Sequence, residues 1–151
     1  MVVEIEVTHH YGQTRRKLNT QALEVGDRVA VLDEGGYNSR GAIILTVERL
    51  TAKQIIMAGR SLRYYRENGG EVGGNRHFCQ LHAVDSPRVI AALQRAALRV
   101  LLRSTDELAR RKPSSHEERV AIAMELAESA AAAAERMRAL EASANPDHDT
   151  W

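Results

Sequence analysis

The chain has 151 residues, of which 27% are charged and 44% hydrophobic, with a formal net charge of +1. That describes one ordinary domain, or a small domain with an appended element, and enough aliphatic surface to fold rather than remain disordered. The single cysteine, Cys79, excludes an intrachain disulfide framework. The lack of a long apolar run or a leader-like start predicts a cytoplasmic protein with no membrane segment.

Val2 to Val7 alternates apolar and acidic residues, with Val3, Ile5 and Val7 on one face, as in a half-buried strand. His9 to Thr20 has no period and centres on Arg15-Arg16-Lys17. It reads as a mobile loop whose basic triplet is either a solvated turn or a phosphate-contacting finger. Leu23 to Leu32 is a strong strand with Val25, Val29 and Val31 on one face and Gly26-Asp27 where a bulge would fall. A glycine-rich loop from Asp33 to Gly41 leads into Ala42 to Leu50, which is nearly continuously apolar around Ile43, Ile44, Leu45 and Val47. Short strands are then expected at Gln54 to Ala58, Ser61 to Arg66 and His77 to Ala83. Strands joined by tight turns with no intervening helix predict a small antiparallel barrel or a strongly curved sheet.

Asp85-Ser86-Pro87 marks a boundary, because Ser86 can cap a helix and Pro87 suits its first position. From Pro87 to about Arg111, Val89, Ile90, Leu93, Ala97, Val100, Leu101 and Leu108 gather on one side. Arg88, Arg95, Arg99, Arg103 and Arg110 fall within a stripe about 80° wide at 100° per residue. Pro113 stops this helix, and Ser115-His116-Glu117-Glu118 is a capping box opening a second. Ala123, Ala127, Ala130, Ala134 and Met137 recur in heptad steps, a seam of small side chains that a partner helix can approach closely. Its cover is either the first helix or the same hairpin of another subunit, so homo-oligomerisation is expected. The charge divides with the helices: residues 86–112 carry 7 basic and 2 acidic side chains (+5), residues 113–151 carry 3 and 8 (−5). Opposite signs in consecutive segments suggest that the segments face each other.

The run Leu23-Glu24-Val25-Gly26-Asp27-Arg28-Val29-Ala30-Val31, with Arg63-Tyr64-Tyr65-Arg66 and Gly70-Glu71-Val72-Gly73, resembles a group of small β-barrel proteins of actinobacteria and their phages. Its opening is also similar to SH3-like and KOW-like barrels. The likeness covers roughly Leu23 to Asp85, and it implies a barrel but no catalytic residue, since such barrels bind RNA, DNA, peptides or other subunits. The fold expected is therefore α+β: a small SH3-like antiparallel β-barrel over residues 1–85, a long antiparallel α-helical hairpin over 86–143, and a flexible tail over 144–151.

The chemical candidates are few. Between Arg49 and Arg66 stand five basic residues, Arg49, Lys53, Arg60, Arg63 and Arg66, and no acid. On a strand Arg63 and Tyr65 share one face and Tyr64 and Arg66 the other. One pair could set a stacking ring beside a phosphate-binding fork. Alternatively, one tyrosine packs inside while the arginines flank it in solvent. Gly69-Gly70-Glu71-Val72-Gly73-Gly74 lacks the Gly-Lys-Ser/Thr ending of a phosphate loop and reads as a wide turn. His77, Cys79 and His82, even with His9 or His10, lack metal-ligand spacing, so no metal and no cofactor is expected. Asp27, Asp33 and Glu34 supply only a loop cluster of carboxylates, and no enzyme activity is expected. The reading favoured by the sequence is a non-enzymatic bacterial or phage accessory protein that binds nucleic acid through Lys53, Arg60, Arg63, Tyr65 and Arg66. The alternative is a protein-interaction or oligomeric adaptor module using the C-terminal helices.

Overall fold

The computed structural model describes residues 4–8, 14–33, 40–73 and 80–144, with side chains described from Lys17 onward. Strands β1 (Glu4–Thr8) and β2 (Thr14–Leu18) pair antiparallel as a separate two-stranded sheet, Glu4 opposite Leu18 and Thr8 opposite Thr14. Arg15-Arg16-Lys17 therefore lies in a strand, not in a mobile loop. A charged segment has no apolar alternation of its own, and here it is the backbone ladder with β1 that makes it a strand.

The main sheet contains β3 (Arg28–Asp33), β4 (Gly41–Leu50), β5 (Gln54–Met57), β6 (Arg63–Tyr65) and β7 (Leu81–Ala83), in the order β6-β5-β4-β3-β7 and antiparallel throughout. The ladder is open, and the expected barrel is not closed. Among the described residues the edges β6 and β7 are linked by isolated bridges alone, Tyr64 with Glu71 and Gly70 with Gln80. Positive φ at Gly69 and Gly73 interrupts extended pairing at those two positions. β3 also begins later than the apolar run suggests. Asp27 accepts the Glu24 N–H on its side chain and donates its own N–H to the Glu24 carbonyl, so Glu24 to Asp27 is a turn and Val25 is 64% exposed.

One face of this sheet carries the main core: Val29, Val31, Leu45, Val47, Ile55, Met57, Tyr64 and Leu81, closed over by Leu18 and Leu23. The other face of β3 and β4 carries Ala30 and Ala42, with Leu32 and Ile44 partly buried. These receive Val89 and Leu93 of helix α1 (Pro87–Arg110). β4 is thus covered on both faces near its start, which explains its nearly unbroken apolar sequence. The approach of α1 is close because Gly41 has no side chain: a Cβ there would stand 2.2 Å from the Ala92 carbonyl oxygen, and its φ is +77°.

Ser86 caps α1 by accepting the Val89 N–H, and Ser115 caps α2 (His116–Ala142) with the reciprocal Glu118 contact expected of a capping box. Half-buried Ile122, Leu126, Ser129, Ala133, Met137 and Leu140 of α2 make a heptad seam, matched on α1 by Ile90, Gln94, Ala97, Leu101 and Leu108. The Gln94 side-chain amide donates to the Met137 carbonyl and to Glu141, and Arg111 pairs with Glu125, so the helices run antiparallel in a defined register. The first turns of α1 are part of the core. Among the described residues no helix is long and apolar enough to cross a membrane.

Two outcomes follow. Gly41→Ala should lower unfolding free energy by about 2 kcal/mol or more, because it adds both a clash and a left-handed alanine. Urea unfolding checks this, with Gly26→Ala as the control, where an added Cβ has positive-φ strain but open space. The Glu118 carboxylate is held below its ordinary value of 4.5, chiefly by the Ser114 backbone N–H, then by the Ser114 hydroxyl and the Ser115 N–H. A carboxylate with a lowered folded value stabilises above its unfolded value, and that contribution fades as pH falls through the folded one. Thermal unfolding of Glu118→Gln and wild type should therefore differ at neutral pH and converge in acid below pH 4.5.

Candidate functional site

β6 is an edge strand, and its three residues alternate: Arg63 exposed, Tyr64 buried to 1%, Tyr65 exposed to 44%. Tyr64 enters the core opposite Ile55, which forces its neighbours outward. Arg63 stands opposite Ile56, and Ile56 opposite Arg49, so that row crosses three strands of the outer face. Tyr65 stands opposite Gln54 in the next row. The ring and the forks thus occupy one solvent-facing surface, with Arg49 joining them.

The turns at either end add Lys53 and Arg60, both exposed. Lys53 lies in the β4–β5 turn, built by Thr51, whose hydroxyl accepts the Gln54 N–H at 2.9 Å and whose N–H donates to the Gln54 carbonyl at 2.8 Å. That turn is rigid enough to fix where the Lys53 stem begins. Arg60 follows the positive-φ Gly59 in the β5–β6 connection.

Arg66 has a different job from its neighbours. Its guanidinium donates to the Thr51 carbonyl at 3.3 Å and to the Gln21 carbonyl at 3.0 Å. Its own carbonyl accepts from the Thr20 hydroxyl at 2.6 Å and the Gln21 amide at 3.0 Å, and its N–H donates to the Lys53 carbonyl. Arg66 clamps the segment after β2 onto the end of β6 and the β4–β5 turn. Nothing in a string of basic residues distinguishes such a clamp from a ligand contact; the distinction needs carbonyls brought in from residues 21 and 51.

A second basic surface lies where the helices leave the sheet. A cleft of about 620 Å³ is lined by Arg40, Arg99, Arg103 and Arg136 over a floor that includes Ala96 and Ala133, with no carboxylate among its described lining residues. Arg99 and Arg103 belong to the stripe legible in the sequence, but Arg40 and Arg136 join them only through tertiary packing. Arg40 precedes β4 and Arg49 lies near its end, roughly 30 Å away at 3.3 Å per residue, so the two basic surfaces stay separate. At the far end of the hairpin Arg111 pairs with Glu125 at 2.8 Å, whereas Arg110 pairs with Asp106 of its own helix at 2.6 Å.

Of the small-residue seam, Ala123, Ala127 and Ala130 are exposed and only Ala134 and Met137 are half-buried. The seam facing α1 is displaced by one residue. Two heptads interleave on α2, and the one containing Ile122, Leu126 and Leu140 turns inward because it buries more apolar area. Among the described residues no group of three His, Cys, Asp or Glu could hold a metal ion; His9, His10, His77 and Cys79 lie outside them. His82 is buried in β7 beside Ala30. No family model, curated protein or solved structure matches this chain.

Replacing Arg66 by Ala should cost about 1–3 kcal/mol of stability, the range for lost hydrogen bonds to a charged donor. Arg63→Ala, whose side chain is in solvent, should cost well under 1 kcal/mol. Paired urea titrations of the two variants check the contrast.

Proposed function

We propose that this chain is a non-enzymatic nucleic-acid-binding protein of the cytoplasm, contacting unpaired bases and their phosphates with the outer face of β4, β5 and β6. The observation that carries this reading is the burial of Tyr64, which turns Tyr65 and Arg63 to the same solvent side in line with Arg49. A base can stack on the Tyr65 ring while neighbouring phosphates meet Arg63, Arg49, Lys53 and Arg60. Stacking needs no base identity, because every base has a π-face, so little sequence preference is expected. With about four cations engaged, binding should weaken markedly with salt. In the same reading the open sheet is an SH3-like barrel whose seam is held by the Tyr64–Glu71 and Gly70–Gln80 bridges, leaving β6 accessible.

Fluorescence anisotropy with labelled single-stranded RNA and DNA tests this. Wild type should bind with an affinity that falls between 50 and 200 mM salt, roughly the range over which counterion release shows. Tyr65→Ala should cost about 1–3 kcal/mol of binding, and Arg63→Glu should weaken binding and flatten the salt dependence. An absence of salt-sensitive binding, or an affinity unchanged in Arg63→Glu, would overturn the proposal.

A further inference from the structure

β4 begins at Gly41, where α1 lies directly on the strand. Beyond that point the cleft of about 620 Å³ fills the corner between α1 and α2, and Arg40 and Ala42 are its only described lining residues from outside the two helices. The alanines at 96, 97 and 133 keep its floor hollow, and Val100, 61% exposed, lies among its lining residues. An apolar hollow of about 300–1,000 Å³ with a few convergent polar groups has the make-up of a small-molecule site. We propose that this cleft binds a phosphate monoester of an apolar group, its phosphate held by Arg40, Arg99 and Arg136.

The charge of the cleft selects the head group. Arg40 and Arg136 are exposed and Arg99 is half-buried, and among the described residues none of the three pairs with a carboxylate. Arg99 uses its Nε–H on the Arg95 carbonyl at 3.4 Å, which leaves its two terminal amino groups for a ligand. Arg103 lines the same wall but already has another partner. The Ser104 and Ser129 hydroxyls donate to the Val100 and Glu125 carbonyls of their own helices, at 3.2 and 2.9 Å. The side-chain donors left among the described lining residues are therefore cationic, and they favour an anion over a cation or a neutral polar molecule. Three guanidinium forks match the nearly double charge and three terminal oxygens of a phosphate monoester better than the single charge and two oxygens of a carboxylate.

Position along the hairpin sets the orientation of the ligand. The Gln94 bond to the Met137 carbonyl puts Arg136 near the level of Ala97, and the close approach of Gly41 to Ala92 and Ala96 puts Arg40 near that level too. Toward the hairpin tip Glu107 follows one turn after Arg103 on the same side of α1. Glu125 of α2, paired with Arg111, stands near the same level. The phosphate therefore belongs at the sheet end, and the apolar group points toward the tip over Val100 and Ala133. From Ala97 to Ser104 that floor runs roughly 10 Å at 1.5 Å per residue, room for an octyl-sized group. The cleft is separate from the outer face of β4, β5 and β6, so this site is independent of nucleic-acid binding there.

Isothermal titration calorimetry of the full chain with octyl phosphate, octanoate, inorganic phosphate and octyltrimethylammonium, each below micelle formation, tests this. Octyl phosphate should bind about tenfold or more tightly than octanoate or inorganic phosphate, and the cation should not bind. Arg40→Glu and Arg136→Glu, both at exposed positions, should weaken octyl phosphate binding about tenfold with unchanged circular dichroism. Val100→Ser should weaken it severalfold and leave inorganic phosphate as in wild type. Arg63→Glu on β6 should change nothing. No octyl phosphate binding at roughly 1 mM, the weak end of specific affinity, would overturn the proposal. So would octanoate or inorganic phosphate binding as tightly, or equal weakening by Arg63→Glu. Loss of single-stranded nucleic acid in Arg136→Glu, with octyl phosphate binding unchanged, would assign the cleft to nucleic acid and overturn it too.

Discussion

The contact between Gly41 and the Ala92 carbonyl governs how the two halves of this protein are joined. At that point the first strand of the two-sided region meets the second turn of α1 with no side chain between them. The closeness lets Val89 and Leu93 reach Ala30, Ala42 and Ile44, giving the outer face of β3 and β4 a core of its own. The direction of α1 follows from it, as does the placing of the arginine cleft beyond Arg40. A bulkier strand start would lift the helix and uncouple the second core from the first.

The outer face of the sheet is consequently divided. Near Ala42 it is covered by α1, and near Arg49 it is bare. The bare part carries Arg63, Ile56, Arg49, Tyr65 and Gln54, with turn residues Lys53 and Arg60 at its margins. Arg66, in the same basic run, faces inward chemically: its guanidinium is bonded to carbonyls of residues 21 and 51. Within one short segment Arg66 thus binds neighbouring backbone while Arg63 and Tyr65 face solvent, and Tyr64 anchors the segment by filling the core.

Charge is divided along the hairpin in a comparable way. The +5 and −5 segments meet in an ion pair at Arg111 and Glu125, while Arg110 pairs with Asp106 of its own helix.

The strands of the main sheet and the start of both helices were legible because they rest on local chemistry. Ser86 before Pro87 and the Ser115–Glu118 box cap helices through bonds within one turn. The outward Arg63–Tyr65 pair was also legible as an alternation, though which tyrosine entered the core was not. Other features depended on distant partners. Arg15 to Lys17 became a strand through backbone pairing with β1, Arg66 became a clamp through carbonyls 15 and 45 residues away, and the inward heptad of α2 was chosen over its neighbour by the apolar area that α1 could bury. The sheet is open, with β6 and β7 linked among the described residues by isolated bridges. Local spacing decides what a segment can become; contacts between distant segments decide which of the permitted outcomes has the lower free energy.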